Sequence, residues 1–115
     1  MSIPPLRPRR SLIFAPGNKP DMFPKAVKTG ADIVCVDLED AVAPHHKDES
    51  RAATVALFAG DLAQDQAGAE KMVRLNALSS PDGVRDLAAF LDATAMPRGF
   101  MLPKVSCPDE IRLLD

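Results

Sequence analysis

The sequence predicts an α/β fold with parallel strands, namely the first half of a (β/α)8 TIM barrel. Three observations lead to this prediction. Four short apolar runs alternate with amphipathic segments along 115 residues, a Pro-acid dipeptide opens three of the four predicted helices, and polar residues gather where the predicted strands end. Strands that alternate with helices in this way give right-handed crossovers and a parallel sheet. Because a complete barrel takes about 250 residues, four units are close to half of one.

The chain is therefore predicted to be the N-terminal half of a single barrel domain, spanning residues 1–115 with an N-terminal arm at residues 1–10. The remaining strands would lie outside this sequence. A doubly wound open sheet of four strands is the alternative. It is disfavoured because no Gly-rich dinucleotide fingerprint follows the first strand, and residues 15–20 also lack the Gly-x-x-x-x-Gly-Lys phosphate-binding pattern.

Composition narrows the functional class. The hydrophobic content of 46% and the charged content of 26% are typical of a soluble globular protein. A net charge of −2 gives no reason to expect nucleic acid as a partner, and the absence of Trp and Tyr argues against stacking on single-stranded bases. The apolar run at residues 12–15 is too short for a membrane span or a signal-peptide core, so no membrane partner is expected.

Cysteine use and the N-terminal charges give two smaller expectations. The two cysteines are Cys35, which lies in an apolar run, and Cys107, and this low number is typical of a reduced, intracellular protein. A cytoplasmic location is therefore expected. Arg7, Arg9 and Arg10 form a basic cluster in a Pro-rich segment, which is expected to be a solvated arm rather than a targeting signal.

The first unit and the second strand have clear boundaries. Residues 11–15 are an apolar run that stops at a Pro-Gly-Asn turn signal, which predicts the first strand. A helix is predicted after Pro20, since proline suits a first helical turn, and Gly30 ends it. Residues 33–36 are uniformly apolar, which predicts a second strand buried on both faces, as parallel strands usually are.

The later units follow the same alternation. A helix is predicted over residues 47–59, closed by Gly60, and its apolar face comprises Ala52, Val55, Ala56 and either Phe58 or Ala59. Residues 61–71 form a polar connection that can be a loop or a helical extension. The third strand is predicted over residues 72–78, and the fourth over residues 99–105. The helices that follow begin near Ser79 and Ser106, with apolar positions at Val84, Leu87, Ala88, Leu91, Ile111 and Leu114.

Candidate site residues lie where these strands end. In parallel β/α folds the site forms at the carboxyl ends of the strands. This rule gathers polar residues from all four strands: Asn18, Lys19, Asp37, Glu39, Asp40, Arg74, Asn76 and Lys104. Because side chains alternate along a strand, Asp37 and Glu39 are expected on one face and Asp40 on the other. A guanidinium among three carboxylates suits a carboxylate or oxyanion site, where the acids hold a hydrated metal or orient Arg74.

Each of these residues also has a purely structural interpretation. The acids can cap the next helix or lie in a solvated loop, Arg74 can be a buried ion-pair partner of Glu39 or Asp37, and Lys19 and Lys104 can be ordinary surface lysines.

The remaining reactive side chains carry weaker signals. His45 and His46 are adjacent and lack metal-ligand spacing, so a solvated helix start is favoured over a metal site. Cys35 is expected to be inert core. Cys107 precedes a helix, but no His or second Cys is spaced to make it a nucleophile.

Four motifs occur in order along the chain: RRSLIFAPGNKP at residues 9–20, GADIVCVDLEDAVAP at residues 30–44 with Lys47, VRLN at residues 73–76, and LPKV at residues 102–105. They resemble the citrate lyase β-subunit-like, or CitE-like, branch of the HpcH/HpaI aldolase superfamily, which includes malyl-CoA and citramalyl-CoA lyases. The resemblance runs from about Arg9 to the last residue. It is specific for the superfamily and says little about the individual substrate.

The resemblance implies a (β/α)8 barrel that forms or cleaves a C–C bond in a 3-hydroxy acyl thioester, with Mg²⁺ as cofactor. It implies that Arg74 holds the 2-oxo acid and stabilises developing enolate charge, with Asn76 and Asp37 also at the substrate. Glu39 and Asp40 would lie beside the metal through its waters. Two direct metal ligands, a Glu and an Asp, would come from later strands, so none is expected in this chain.

The cofactor and partner expectations follow from the same resemblance. The segment that contains Asn18 and Lys19 resembles the part that approaches the phosphates of CoA, and Lys104 is grouped with it as a cofactor-binding residue. The thioester can be carried by CoA or by a carrier protein. A homo-oligomer, either a trimer or a hexamer, is expected.

Two other functions remain open. One is an aldolase acting on free 2-oxo acids, which would lack a CoA requirement. The other is a non-catalytic half-barrel that acts as a subunit or scaffold.

Overall fold

The computed structural model describes residues 6–60, 63 and 68–114. Within them, four strands alternate with four α-helices. In chain order these are β1 (Leu12–Pro16), α1 (Met22–Val27), β2 (Ile33–Asp37), α2 (Lys47–Phe58), β3 (Glu70–Arg74), α3 (Pro81–Leu91), β4 (Gly99–Met101) and α4 (Pro108–Arg112), with a 3₁₀ turn at Pro44–His46 before α2.

The four strands form one parallel sheet in the order β1-β2-β3-β4, so the predicted α/β fold is confirmed. The register aligns the carboxyl ends of the strands. Pro16 lies opposite Asp37, Asp37 opposite Arg74, and Arg74 opposite Met101. The segments that leave the strands therefore open onto one edge of the sheet, where the polar candidates were expected.

The core lies between the sheet and the helices. β2 is buried along its whole length, as predicted. Four phenylalanine rings connect α1, α2, α3 and β4: the ring centroids of Phe23 and Phe58 are 6.1 Å apart, those of Phe58 and Phe90 6.3 Å, and those of Phe90 and Phe100 5.6 Å. Tilted and edge-to-face ring pairs at these separations are favourable. This row of rings anchors three helices to the sheet.

The buried face of α3 differs from the prediction. Val84 and Leu91 are 58% and 69% exposed, whereas Gly83, Asp86 and Phe90 are buried. Gly83 is buried because the helix packs closely against the chain after β3: a Cβ at this position would lie 2.0 Å from the carbonyl oxygen of Ala77. The prediction from apolar spacing was wrong here, because it expected valine and leucine to be buried in preference to a glycine and an aspartate.

The buried face of α2 was also predicted incorrectly. Ala52 and Ala56 are exposed, and the buried residues are Ser50, Arg51, Thr54 and Phe58. Arg51 turns inward because its guanidinium pairs with acids at positions 48, 82 and 86. Ion pairing between helices is not visible in a hydropathy pattern, so of the predicted apolar face only Val55 and Phe58 pack in the core.

Two strands differ from their predicted limits by more than one residue. β3 begins at Glu70 rather than at residue 72, and it ends at Arg74. The buried Glu70 is tolerated at the strand start because Arg9 donates two hydrogen bonds to its carboxylate, at 2.8 and 3.0 Å. β4 ends at Met101, so Lys104 lies in the following loop and not on the strand.

The N-terminal arm that was expected to be solvated is anchored by its arginines: Arg7 donates to the Gly68 carbonyl oxygen at 3.2 Å, and Arg9 pairs with Glu70. Besides the Arg9–Glu70 pair, the backbone N–H groups of Arg10 and Ser11 donate to the carboxylate of Asp32, at 2.8 and 3.2 Å. The contacts lie near the amino ends of β2 and β3, opposite the edge that gathers the candidate site residues.

Most of residues 61–71, for which no element was predicted, lies outside the described residues. None of the helices in the described ranges has the length and apolar character needed to cross a bilayer.

Candidate functional site

An arginine–carboxylate pair forms the centre of the candidate site. Asp37 is the last residue of β2, and Arg74 is its register partner at the end of β3. Arg74 donates from Nε to Asp37 Oδ1 at 2.9 Å and from Nη2 to Oδ2 at 2.6 Å. Two parallel charge-assisted bonds of this kind fix the guanidinium in direction as well as in position. The Arg74 guanidinium also lies over the Phe14 ring, 4.5 Å from its centroid.

Each oxygen of the Asp37 carboxylate accepts two hydrogen bonds from the protein. Besides Arg74, the backbone N–H groups of Glu39 and Ala41 donate to it, at 2.8 and 3.0 Å. Burial by itself would raise the pKa of Asp37, but the hydrogen bonds from Arg74 and from the two amides outweigh it and hold the pKa below its ordinary value. Asp37 is thus a charged anchor that orients both Arg74 and the start of the next loop.

Glu39 and Asp40 share one cation. The ammonium of Lys104 hydrogen-bonds to Glu39 Oε2 and lies 3.3 Å from Asp40 Oδ1. These bonds, the one to Glu39 first, raise the pKa of Lys104. Glu39 Oε1 also lies 3.7 Å from Arg74 Nε. Glu39 and Asp40 were expected on opposite faces of the strand. They meet at Lys104 because β2 ends at Asp37, after which strand alternation no longer applies.

Lys104 reaches these acids from a strained backbone. Its φ is 50°, in the left-handed region that non-glycine residues seldom occupy. Such a conformation costs of order 1 kcal/mol and persists where surrounding contacts enforce it, often at functional sites. Here the enforcing contacts are those of the ammonium with Glu39 and Asp40.

Lys47 holds the acidic loop from the other side. Its Nζ donates to the carbonyl oxygens of Leu38 and Glu39, at 2.8 and 2.6 Å. The sequence had marked Lys47 only as part of a motif and assigned it no role. Its position in the sequence could have indicated this contact, because Lys47 is the first residue of the helix that follows the acidic segment.

A cavity of about 380 Å³ opens beside these groups. Its lining comprises Glu39, Asp40, Val42, Ala43, Pro44, Lys47, Asn76 and Lys104. Asn76 is nearly buried and donates from Nδ2 to Asp86 Oδ2 at 2.7 Å. The structure therefore brings Glu39, Asp40, Asn76 and Lys104 to one cavity, with the Asp37–Arg74 pair adjoining Glu39.

Asn18 and Lys19 are less closely joined to this group. Both follow β1 at the same edge of the sheet, next to Gly17, whose N–H donates to the Asp37 carbonyl oxygen at 2.9 Å. Asn18 Oδ1 is buried without a hydrogen-bond partner among the described residues, and Lys19 is exposed. Within the part of the chain that the structure describes, neither side chain hydrogen-bonds to Glu39, Asp40 or Arg74.

Two buried charged residues near the site were missed. Arg51 on α2 and Asp86 on α3 are bonded at 2.7 Å, and Asp86 in turn accepts from Asn76. Their positions on predicted helices gave no sign of burial, although an arginine three residues after Asp48 allows an intrahelical pair.

The histidines and cysteines lie apart from this chemistry. His45 and His46 lie in the 3₁₀ turn at the start of α2, with His46 Nδ1 3.7 Å from Glu49 Oε2. Burial, then the charge of Asp37, raises the pKa of Cys35 to about 12, so its thiol is inert at neutral pH. Cys107 is exposed at the start of α4, where Glu110 accepts hydrogen bonds from the Ser106 and Cys107 amides.

The side chains present fit part of a magnesium site. Mg²⁺ prefers oxygen ligands and keeps several of its waters. Glu39 Oε1 is buried and has no hydrogen-bond partner among the described residues, and the Asp40 carboxylate is exposed beside it. Among residues 6–60, 63 and 68–114 no group of three or more His, Cys, Asp or Glu could hold a metal. The described acids thus fit contact with metal-bound water, and the ligand set is incomplete.

The fold and the site together define a class of protein: a parallel β/α chain whose strand ends present an oriented guanidinium and paired acids around a polar cavity. The chain belongs to the HpcH/HpaI aldolase/citrate lyase family, whose model matches residues 10–115.

Two of the proteins similar to this chain are named lyases. The chain is 35% identical over 113 residues to the L-malyl-CoA/beta-methylmalyl-CoA lyase of Cereibacter sphaeroides. This alignment covers 97% of this chain and 35% of that protein. It is 39% identical over 105 residues to the mitochondrial citramalyl-CoA lyase of Mus musculus, covering 91% of this chain and 30% of that protein. The chain spans about a third of the length of these relatives.

Solved structures agree with this assignment. CitE from Mycobacterium tuberculosis in complex with magnesium, acetoacetate and coenzyme A matches with a TM-score of 0.72 and 31% identity, over 92% of this chain and 37% of that chain. The citrate lyase beta subunit of the same organism, complexed with oxaloacetate and magnesium, matches with a TM-score of 0.71 and 30% identity, over 92% and 44%. The resemblance to the citrate lyase β-subunit-like branch is confirmed.

Proposed function

We propose that the protein is a Mg²⁺-dependent carbon–carbon lyase that cleaves 3-hydroxy acyl thioesters of CoA of the malyl, citramalyl or citryl type. The products are a 2-oxo acid or glyoxylate and a shorter acyl thioester. The observation that carries this proposal is the fixed Arg74 guanidinium, held by Asp37 beside Glu39, at the edge of the sheet where β/α enzymes place their sites.

Cleavage of such a thioester produces negative charge that the site must stabilise. The C–C bond next to the hydroxyl-bearing carbon breaks, and the hydroxyl loses its proton to become the carbonyl of the 2-oxo acid. The electron pair passes to the thioester as an enolate, which is then protonated. An oriented guanidinium stabilises anionic oxygen without reorganising during the reaction. Arg74 suits this role because Nη1 has no hydrogen-bond partner among the described residues and is available to a ligand.

Asp37 would act through Arg74. All of its observed bonds are to the protein, so its contribution would be to keep the guanidinium aligned. The direct contact with substrate that was expected for Asp37 stays a prediction, as does the one for Asn76.

Glu39 and Asp40 would bind the waters of a magnesium ion, where Glu39 Oε1, which has no hydrogen-bond partner within the described ranges, could accept. Magnesium, when bound, supplies positive charge that polarises substrate oxygen atoms. Lys104 now neutralises the same two carboxylates, so it would have to share them with the hydrated ion.

CoA recognition would use the loop after β1. Lys19 is exposed at the sheet edge, where a lysine point charge can bind a phosphate, and Asn18 precedes it. The CoA-containing names of the relatives and the coenzyme A complex of CitE support a thioester substrate. A homo-oligomer and a cytoplasmic location stay predictions, and light scattering and fractionation would check them.

The test is a turnover assay on the full-length protein. Malyl-CoA, citramalyl-CoA and citryl-CoA are each supplied with Mg²⁺ or with EDTA, and the released 2-oxo acid is trapped as its hydrazone. We expect release from one of the three thioesters that requires Mg²⁺. Release from free malate or citramalate at the same rate would favour an aldolase acting on free acids. No release from any thioester, with unaltered melting temperature on adding the thioesters, would favour a non-catalytic subunit.

A further inference from the structure

A buried carboxylate connects the candidate site to the neighbouring helices. Asp86 on α3 is 1% exposed. Its Oδ2 accepts from the backbone N–H of Asn76 at 2.9 Å and from the Asn76 side-chain Nδ2 at 2.7 Å. Its Oδ1 accepts from Arg51 Nε at 2.7 Å. A carboxylate that faces three donors acts only as an acceptor.

Arg51 is itself held in place on three sides. In addition to Asp86, it donates from Nη1 to Asp48 Oδ1 at 2.6 Å and from Nη2 to Asp82 Oδ1 at 3.1 Å. Asp48 lies on α2 with Arg51, whereas Asp82 and Asp86 lie on α3. The planar guanidinium therefore sets the position of α3, and of Asp86 on it, relative to α2.

The close approach of α3 makes this position rigid. Ser80 caps the helix by accepting from the Gly83 N–H at 3.1 Å, and a Cβ at Gly83 would meet the backbone of Ala77 and Asn76. The start of α3 thus lies directly on the chain that carries Asn76. Neither end of the Asp86–Asn76 contact can shift freely.

This arrangement determines which way the Asn76 amide faces. Its NH₂ group must face Asp86, because a carboxylate offers only acceptors, and the carbonyl oxygen lies on the opposite side of the same planar group. Asn76 lines the cavity that also contains Glu39 and Lys104. We propose that Asp86, held by Arg51, is a positioning residue that turns the Asn76 carbonyl oxygen toward the cavity as an acceptor for the hydroxyl group of a 3-hydroxy acyl thioester.

This inference rests on the proposed function for the identity of the ligand. It goes further, because it assigns recognition of the substrate hydroxyl to Asn76 and the orientation of Asn76 to the Asp86–Arg51 pair outside the cavity. A hydroxyl donor would find an acceptor there, whereas the analogue with hydrogen in its place would leave the Asn76 oxygen without a partner.

The test compares two ligands in the full-length protein. Dissociation constants for malyl-CoA and for succinyl-CoA, which has hydrogen in place of the hydroxyl, are measured by calorimetry with EDTA present to suppress turnover. The wild type is expected to prefer malyl-CoA, and Arg51→Met is expected to lose about tenfold of that preference, as loss of an orienting partner commonly costs. Arg85→Met is the matched control, because Arg85 is an exposed arginine on α3 whose nearest acid, Asp82, is 3.9 Å away.

Arg51→Lys is the second variant, since Arg51→Met leaves the buried Asp86 without its cationic partner and can impair folding. The lysine keeps the charge and should retain part of the preference. A purely structural role for Arg51 predicts instead that both ligands weaken by the same factor, and that result would overturn the proposal.

A readout independent of any ligand completes the test. The side-chain amide protons of Asn76, assigned in an NMR spectrum by their loss in Asn76→Asp, should exchange slowly in the wild type and faster in Arg51→Met. Rapid exchange in the wild type would overturn the positioning inference. If neither thioester binds the wild type and the turnover assay with Mg²⁺ releases no 2-oxo acid, the proposed function fails, and the amide exchange alone decides the Asp86–Asn76 assignment.

Discussion

Asp37 and Arg74 are register partners at the carboxyl ends of adjacent parallel strands, and they join side chain to side chain through two hydrogen bonds of 2.9 and 2.6 Å. The carboxylate also receives two backbone N–H groups from the loop that carries Glu39. One buried acid therefore orients the cation of the site and the loop that bears its other acids. The predictions below test the parts of this arrangement in the full-length protein.

Arg74→Lys should lower turnover of the thioester substrate by roughly 10²–10³-fold, the usual loss for one electrostatic donor. An ammonium donates from a single nitrogen, so it cannot reproduce the two parallel bonds to Asp37 that hold a third nitrogen toward the ligand. Steady-state rates at saturating Mg²⁺ provide the measurement. Arg85→Lys, at an exposed position on α3, serves as the control and should leave the rate unchanged. An unaffected rate in Arg74→Lys would show that Arg74 is structural.

Asp37→Asn should change how stability depends on pH. The pKa of Asp37 is lowered in the folded protein, so its charge contributes stability that is fully present above the unfolded pKa and lost as pH falls through the folded one. The difference in free energy of unfolding between wild type and variant should be constant above about pH 5 and shrink below about pH 4. Urea titrations at several pH values measure it.

The control for that experiment is Asp92→Asn, at an exposed position just after α3. Its carboxylate has no hydrogen bond or ion pair among the described residues, so the corresponding difference should stay near zero throughout. A difference for Asp37→Asn that does not vary with pH would show that the charge of Asp37 adds no stability.

Glu39→Gln should weaken activation by Mg²⁺ about 10–100-fold, the usual effect of losing a residue that orients metal-bound water. The Glu39 carboxylate is buried, one of its oxygens accepts no hydrogen bond from the described part of the chain, and the amide removes its charge at nearly constant shape. The Mg²⁺ concentration for half-maximal rate is the measurement. Unchanged Mg²⁺ dependence would remove Glu39 from the metal environment.

Lys47→Met should loosen the acidic loop. The variant loses two charge-assisted hydrogen bonds to the carbonyls of Leu38 and Glu39, which predicts a loss of about 2 kcal/mol in free energy of unfolding. Hydrogen exchange of the Glu39 and Ala41 amides should also accelerate. Lys28→Met, at an exposed position after α1, should change neither quantity. Slow exchange retained in Lys47→Met would mean that Asp37 alone orders the loop.

Gly83→Ala should destabilise the protein by about 2–3 kcal/mol, although alanine favours helices by about 1 kcal/mol. The new Cβ would lie 2.0 Å from the Ala77 carbonyl oxygen, which belongs to the backbone and cannot rotate away. Gly60→Ala, whose Cβ would lie 3.3 Å from the Leu57 carbonyl oxygen, should cost much less. Denaturant midpoints compare the two. Equal costs would show that α3 can move away from the chain after β3.

Local patterns were sufficient for the element order and for the edge of the sheet at which the site forms. The apolar run that became β2 and the turn after β1 are specified by neighbouring residues, and parallel strands necessarily bring their carboxyl ends together. The pairing of Arg74 with an acid of β2 was likewise within reach of the sequence.

Local patterns could not predict ion pairs between residues that lie far apart in the chain. The inward faces of α2 and α3 were mispredicted because Arg51 and Asp86 are buried through each other, 35 positions apart. The early start of β3 was missed because Glu70 is satisfied by Arg9, 61 positions away. A buried charge looks like a surface residue until its partner is placed, since burial is tolerated only when the pair forms.

By itself, the sequence determined a parallel β/α chain with acids and an arginine at one edge, because periodicity and strand polarity are local properties. Only the tertiary structure decided that the Asp37 carboxylate holds Arg74, that Lys104 bridges Glu39 and Asp40, and that Asn76 is hydrogen-bonded to Asp86. Those outcomes depend on which donors and acceptors meet within hydrogen-bond distance, and that is set by packing across the whole chain.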